Sequence, residues 1–67
     1  MTSDIIGTVA PENIDMLTKI IEAYEHIGIV STLDNQTGRI IIRGTEDTVA
    51  ELKIILANLP FAFEIVE

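Results

Sequence analysis

Arginine supplies the side chains with which this chain could best bind an anion. Arg39 and Arg43 lie four residues apart in the segment RIIIR, with Ile41 midway between them. If that segment is a β-strand, alternate residues share a face, so both guanidinium groups and Ile41 project from the same side. Guanidinium groups bind carboxylates and phosphates through paired hydrogen bonds. The arginines therefore predict either a site for a small anionic ligand or, as we favour, ion pairs with Glu64, Glu67 or a second subunit.

His26 is the only histidine in the chain and the next candidate for chemistry. It falls on the polar half of a predicted helix, in the last turn, where the helix dipole stabilises a cation. We therefore predict a capping or solvated role for His26 rather than catalysis. The chain has no Cys, and its carboxylates lack the spacing of a calcium loop, so no metal site and no cofactor are expected.

The sequence also gives little support for a serine nucleophile or a phosphate-binding loop. Ser3 and Ser31 are the only serines, and Ser31 is predicted to face the core. Gly7 is isolated, whereas a phosphate-binding loop needs several glycines between a strand and a helix. The loop TVAPEN after the first strand contains neither an arginine nor a cysteine pair. The sequence therefore predicts a protein without enzymatic activity.

The composition limits the kinds of partner that this protein is expected to bind. The 67 residues carry a net charge of −7 and only four basic side chains, so neither nucleic acid nor an anionic membrane surface is expected. The first residues lack the basic and apolar regions of a signal peptide, and no apolar run is long enough to span a bilayer. A cytoplasmic location is therefore expected. Apolar residues make up 48% of this small domain, which favours self-association as a homodimer.

The order of predicted elements is β-α-β-β-α-β. The segments DIIGTV, GIVSTLD, RIIIR and FAFEIVE are predicted as strands, because they are short, rich in β-branched or aromatic residues and bounded by turn residues. One helix is predicted from Pro11 to His26 and is ended by Gly28. A second helix has Thr45 as its N-cap and ends before Pro60. The segment DNQTG is predicted as a hairpin loop whose glycine adopts the left-handed conformation.

Helical periodicity assigns the buried faces of both helices. At about 100° per residue, the apolar side chains of the first helix share one half of its surface. This half consists of Ile14, Met16, Leu17, Ile20, Ile21, Ala23 and Tyr24. The buried stripe of the second helix consists of Val49, Leu52, Ile55, Leu56 and Leu59. On its back, Ala50, Ile54 and Ala57 are interpreted as tolerated exposed residues.

These elements predict an α+β fold, a single ferredoxin-like plait over residues 1–67. Both helices cover one face of a four-stranded antiparallel sheet, and the other face stays open. When the more apolar alternation of each strand is assigned to the helices, seven residues remain on the open side: Val30, Thr32, Arg39, Ile41, Arg43, Ala62 and Val66. The candidate ligand- or partner-binding residues are Val30, Thr32, Arg39, Ile41 and Arg43. Such a face is typical of a dimer surface or a ligand floor, although an ordinary half-polar outer face has a similar composition.

The segment from Ile14 to the third strand also resembles a known family. Its marks are Ile14–Asp15 at a helix entry, the segment EAYEHIGIVSTLD, and Gly38 before an apolar strand. These residues resemble a group of short bacterial proteins that are catalogued only as a domain of unknown function. The likeness extends from about Asn13 to Leu59, and it implies no reaction, ligand or catalytic residue.

More loosely, the predicted plait resembles ACT-type domains, which bind amino acids at subunit interfaces in regulated enzymes. Those domains usually carry a glycine in the first strand–helix loop, where this chain has APEN. The sequence therefore predicts a small non-catalytic module that self-associates and serves as a regulatory or small-ligand-sensing unit of the ACT-like kind. The alternative is a protein–protein interaction adaptor that uses the open sheet face or an edge strand.

Overall fold

The computed structural model describes residues 4–66 and confirms the predicted order of elements. Four strands and two α-helices alternate in the order expected of a ferredoxin-like plait. The strands are β1 (Asp4–Val9), β2 (Ile29–Asp34), β3 (Arg39–Arg43) and β4 (Phe63–Ile65). The helices are α1 (Ile14–Glu22), preceded by one turn of 3₁₀ helix at Pro11–Asn13, and α2 (Val49–Ala57).

The four strands form one antiparallel sheet in the spatial order β2-β3-β1-β4. The central strand β1 pairs with β3 and β4, and β3 also pairs with β2. Strands β2 and β4 are therefore the edges. Each helix connects two strands that are not hydrogen-bonded to one another, which is the split β-α-β arrangement.

Both helices pack on the same side of this sheet, where the core lies. Alternate residues of β1 and β3, together with one stripe of each helix, exclude water almost completely. The core consists of Ile5, Val9, Leu17, Ile21, Ile27, Ile40, Ile42, Leu52 and Leu56. Partly buried residues packed against it include Ile14, Val30, Val49, Ile55, Leu59, Phe61 and Phe63. The predicted layers are confirmed.

The first helix ends earlier than the sequence predicts. It stops at Glu22 rather than His26, because the chain turns back on itself and Glu25 adopts a left-handed conformation with φ of 65°. His26 therefore lies in the loop, outside the last helical turn. Gly28 serves a different purpose from the predicted helix stop: a Cβ there would lie 3.1 Å from the Arg43 carbonyl oxygen, so the glycine allows two loops to approach closely.

The buried face of α1 is also narrower than predicted. Leu17 and Ile21 are fully buried, as expected. Met16 and Tyr24 were assigned to the same half, yet 51% and 42% of their surfaces are exposed. The four-stranded sheet covers only a narrow stripe of each of the two small helices. Residues at the margin of the apolar half therefore remain in solvent.

The predicted hairpin between β2 and β3 is confirmed in its details. Asp34 begins the turn, and its Oδ1 accepts hydrogen bonds from the backbone N–H groups of Gln36 (2.9 Å) and Thr37 (3.4 Å). Gly38 closes the turn with φ of 79°, and its N–H donates to the Asp34 carbonyl at 3.0 Å. Asp is favoured at such turns because its side chain can bond the following backbone, and glycine adopts positive φ without strain.

The second helix begins three residues later than the prediction, which used Thr45 as the N-cap. Thr48 is the N-cap, and α2 starts at Val49. The turn before the helix is held by Thr48 Oγ1, which accepts the Thr45 N–H at 2.9 Å. Thr48 is the N-cap by position only: its side chain bonds back to Thr45 and makes no hydrogen bond to the first turn of α2, so the backbone path after β3 decides where the helix begins.

The last strand is shorter than the predicted FAFEIVE. Only Phe63–Ile65 is a strand, and it pairs with Gly7–Val9 of β1. Phe61 and Phe63 pack against the core as predicted, whereas Ile65, also assigned to the interior, is 48% exposed. Glu67, the final residue of the predicted strand, lies outside the described residues.

Within residues 4–66, neither helix has the length and apolar character needed to cross a membrane.

Candidate interaction surface

The side of the sheet opposite the helices carries no covering layer within the described chain. We call it the open face. Its members follow from strand register, because cross-strand partners in an antiparallel pair point to the same side. They are Asp4, Ile6 and Thr8 on β1, Ile29, Ser31 and Asp34 on β2, Arg39, Ile41 and Arg43 on β3, and Glu64 and Val66 at β4.

A mostly apolar row crosses the middle of the open face. Ile41 lies between Ser31 on one side and Ile6 on the other. The Val66 N–H donates to the Ile6 carbonyl at 2.7 Å, which extends the row to β4. Ile41 is only 8% exposed although no layer covers it, so neighbouring side chains on the face must shield it. Val66 remains 49% exposed at the end of the row.

Val30 and Thr32, two of the predicted site residues, do not lie on the open face. Val30 is the cross-strand partner of Ile42, and Thr32 is the partner of Ile40. Both isoleucines are fully buried under the helices, so Val30 and Thr32 point to the helix-covered side. The prediction of their orientation was wrong. In their place the open face receives Ile29 and Ser31.

The source of this error is the edge position of β2. Neither alternation of the segment is strongly apolar, so hydrophobicity does not decide which side faces inward. The strand also contains a bulge between Thr32 and Asp34. Because a bulge inserts one extra residue, Asp34 returns to the open side and lies opposite Arg39.

Arg39, Ile41 and Arg43 lie on the open face as predicted. Arg43 is the cross-strand partner of Asp4 on β1 and of Ile29 on β2. Opposite charges directly across an antiparallel pair attract one another. Arg43 therefore has an acidic neighbour that the sequence analysis, which considered Glu64 and Glu67, did not identify.

Arg39 belongs to a second charged row at the hairpin end of the sheet. It lies opposite Asp34 on β2 and Thr8 on β1, and Thr8 in turn lies opposite Glu64. The Asp34 carboxylate is already engaged by the turn, as described above. Glu64 shares the open face with Arg39 but is two strands away, about 10 Å at ordinary strand spacing.

This arrangement separates the two arginines. Four strand residues span about 13 Å, and Ile41 lies between the guanidinium-bearing positions. A single small anion is too short to lie beside both of these strand positions at once. The arginines instead lie on opposite sides of the apolar row, each beside a carboxylate, which favours ion pairing over a joint anion site.

His26 lies near Arg43 at the end of the sheet where the two helix-flanking loops meet. A cleft of about 290 Å³ there is lined by Glu25, His26, Ile27, Gly28, Ile29, Arg43, Gly44, Thr45 and Thr48. The walls carry charges of both signs and two hydroxyl groups. Among residues 4–66, no group of three or more His, Asp or Glu side chains is placed to hold a metal ion.

The open-face residues absent from the predicted set are Asp4, Ile6, Thr8, Ile29, Ser31, Asp34 and Glu64. The alternation in DIIGTV offered a signal for the first three, because the buried residues Ile5 and Val9 share one parity. No comparable signal exists in β2. Its orientation is decided by pairing with β3.

A family model described as a domain of unknown function (DUF4911) matches residues 8–62. The match includes both helices, β2, β3 and the last two residues of β1, and so the greater part of the open face. No curated protein and no solved structure gives a significant match to the chain. Because the family model covers well over half of the sequence, the chain belongs to the family of domains of unknown function DUF4911.

Proposed function

We propose that this protein is a non-catalytic module that self-associates through the open face and serves as a regulatory or small-ligand-sensing unit. The observation that carries the proposal is the distribution of charge. The open face, as assigned from residues 4–66, holds two of the four basic residues but only three of the eleven acidic ones. This face is nearly neutral, and most of the net charge of −7 lies elsewhere.

Charge decides where two copies can meet. Copies that approach through their acidic surfaces repel each other within a Debye length of about 8 Å at physiological salt. The helical layer presents exposed carboxylates such as Asp15, Glu22 and Glu51. The open face lacks this excess of negative charge and offers apolar surface at Ile29 and Val66, which are 69% and 49% exposed. Burial of that surface is the driving force for association.

Sedimentation equilibrium tests self-association directly. We expect the 7.4 kDa chain to form a dimer below about millimolar concentration, as befits a small interface. Val66→Glu should weaken the dimer at least about tenfold, because it places a charge at the end of the apolar row. Ile54→Glu is the matched control: Ile54 is 64% exposed on α2, and the charge change is the same. A monomeric wild type, or equal sensitivity to both variants, would contradict the proposal.

The sensing part of the proposal is supported by the cleft beside Arg43 and by the element order that the chain shares with ACT-type domains. The ligand expected there is small and carries an anionic group for Arg43, with Glu25 in the same wall. An NMR screen with amino acids and nucleotides should shift the amide signals of Gly28, Gly44 and Thr45. If every amide shift stays unchanged across the screen, the sensing role loses its support.

The alternative function is a protein–protein interaction adaptor, and the edge strand β2 favours it. Ile29 and Leu33 on this edge are 69% and 51% exposed, and an unpaired strand edge can accept a strand from another protein. In this case the wild type stays monomeric. A larger protein is then retained from a lysate by the wild type and by Ile54→Glu but not by Ile29→Glu.

A further inference from the structure

Resting on the self-association proposed above, we infer that two copies pack open face to open face about a two-fold axis parallel to the strands, between β1 and β3. This axis passes through the middle of the sheet, whose order is β2-β3-β1-β4. A two-fold axis makes the contact self-complementary, because the same surface of each copy contributes both halves. The register of the sheet then fixes which residues meet.

In this arrangement each β1 lies over the β3 of the other copy. Ile6 meets the partner's Ile41, since the two are cross-strand neighbours within one chain. One row further along, Asp4 meets the partner's Arg43 and Arg43 meets the partner's Asp4. Two attractive pairs therefore form beside the central apolar contact. Asp4 and Arg43 are both exposed in the single chain, so a second copy can reach their side chains.

The other way to stack the faces uses a two-fold axis across the strands. That axis reverses strand direction, so each β3 lies over the partner's β3 and the two ends of the sheet exchange places. Arg43 would then meet the partner's Arg39, twice, and Asp4 would meet the partner's Thr8. Like charges placed opposite one another destabilise an interface. The positions of the arginines therefore select the axis that runs along the strands.

The selected arrangement has one unfavourable feature, at its rim. Asp34 on the edge strand β2 comes to lie near the partner's Glu64 on β4. Both residues are exposed, and solvent screens charges at a rim strongly. Oδ1 of Asp34 is in addition held toward its own turn by the N–H groups of Gln36 and Thr37. The central pairs of Asp4 and Arg43 lie on β1 and β3, nearer the middle of the contact.

Charge reversal tests this geometry by sedimentation equilibrium. Arg43→Asp leaves only negative charge at the two positions, and Asp4→Arg leaves only positive charge. Each variant alone should dimerise at least about tenfold more weakly than the wild type. An equimolar mixture should form a heterodimer of near wild-type affinity, because each Asp then meets an Arg across the interface.

Two control variants make the same charge changes on α2, away from the open face. These are Lys53→Asp and Glu51→Arg, and we expect neither the separate variants nor their mixture to reproduce this pattern. Circular dichroism of all four variants checks that each is folded. Tighter homodimers of Arg43→Asp would overturn the inference in favour of the axis across the strands, because the new carboxylate would meet the partner's Arg39.

The remaining outcomes separate the two claims. A wild type that dimerises while the mixture of Arg43→Asp and Asp4→Arg fails to recover affinity overturns the inferred axis but leaves self-association standing. A wild type that stays monomeric up to about millimolar concentration overturns self-association, and the inferred axis with it.

Discussion

Val30 lies directly opposite Ile42 across the β2–β3 pair, and the side chains of both residues point toward the helices. Ile42 is fully buried, whereas Val30 is only half-buried because β2 is the edge of the sheet. The residue before it, Ile29, lies opposite Arg43 and is 69% exposed on the open face. Two consecutive apolar residues therefore have different roles: one belongs to the core, and the other is available for contact with a second molecule.

Val30→Glu should destabilise the fold, whereas Ile29→Glu should not. The glutamate at position 30 would place a charge against the apolar core, with an expected loss of about 2–3 kcal/mol in the free energy of unfolding. The same change at position 29 projects into solvent and should alter stability by less than about 0.5 kcal/mol. Urea denaturation followed by circular dichroism measures both. Equal losses would mean that β2 does not have the register described here.

Leu52→Ala should cost about 2–5 kcal/mol, which is much of the stability of a domain this small. Leu52 is completely buried, and its Cδ1 lies beneath both Gly28 and Gly44, where the two loops meet. Removal of the side chain leaves a cavity that those loops cannot fill. Met16→Ala, at a position 51% exposed, is the comparison and should cost well under half as much in thermal or urea unfolding. Similar losses for the two variants would argue against the assigned core.

Gly38→Ala should unfold the hairpin or the whole domain. Gly38 has φ of 79°, and a Cβ at this position would overlap the carbonyl oxygen of Val9. Val9 itself donates its N–H to the Gly38 carbonyl at 2.9 Å, so the turn cannot move away without loss of that hydrogen bond. Backbone strain and steric overlap together should exceed about 3 kcal/mol.

Gln36→Ala provides the control for this turn, because its exposed side chain makes none of the hydrogen bonds that define it. We expect a change below about 0.5 kcal/mol. Hydrogen exchange of the Gly38 and Val9 amides reports on the turn in both variants. Normal protection of these amides in Gly38→Ala would contradict the proposed role of the glycine.

Thr48→Val should destabilise the protein by about 1 kcal/mol. The substitution keeps the shape of the side chain but removes Oγ1, which accepts the Thr45 N–H at 2.9 Å before α2. Thr45→Val removes an exposed hydroxyl that makes one long hydrogen bond, 3.3 Å to Thr48 Oγ1, and should cost less than about 0.5 kcal/mol. The midpoint of thermal unfolding separates the two variants. A larger effect at Thr45 would restore that residue as the cap of the helix.

Features set by a few neighbouring residues could be predicted from the sequence. The DNQTG turn is one, because Asp34 supplies a side-chain acceptor and Gly38 supplies positive φ. The buried stripe of α1 is another: Leu17 and Ile21 are spaced to face the sheet, and both are fully buried. The order of strands and helices follows from such local signals, and the plait follows from that order.

Helix ends and strand register were harder to predict from the sequence. Thr45 and Thr48 have the same chemistry, and only the path of the chain after β3 makes Thr48 the cap. The left-handed Glu25 ends the turn after α1 before Gly28 is reached, and the residue types in this segment do not predict that conformation. These choices depend on where the neighbouring loop lies in space.

The sequence by itself determined the fold, the core of the helices and the placement of Arg39, Ile41 and Arg43 on one side of a strand, because periodicity encodes each of these. Only the tertiary structure decided which alternate residues of β2 lie on the same face as these three residues. An edge strand buries too little surface for hydrophobicity to choose a side, so its orientation is fixed by hydrogen-bonded register with β3 and by the bulge before Asp34. The same pairing brings Asp4 beside Arg43, a relationship between residues 39 positions apart that only the folded sheet creates.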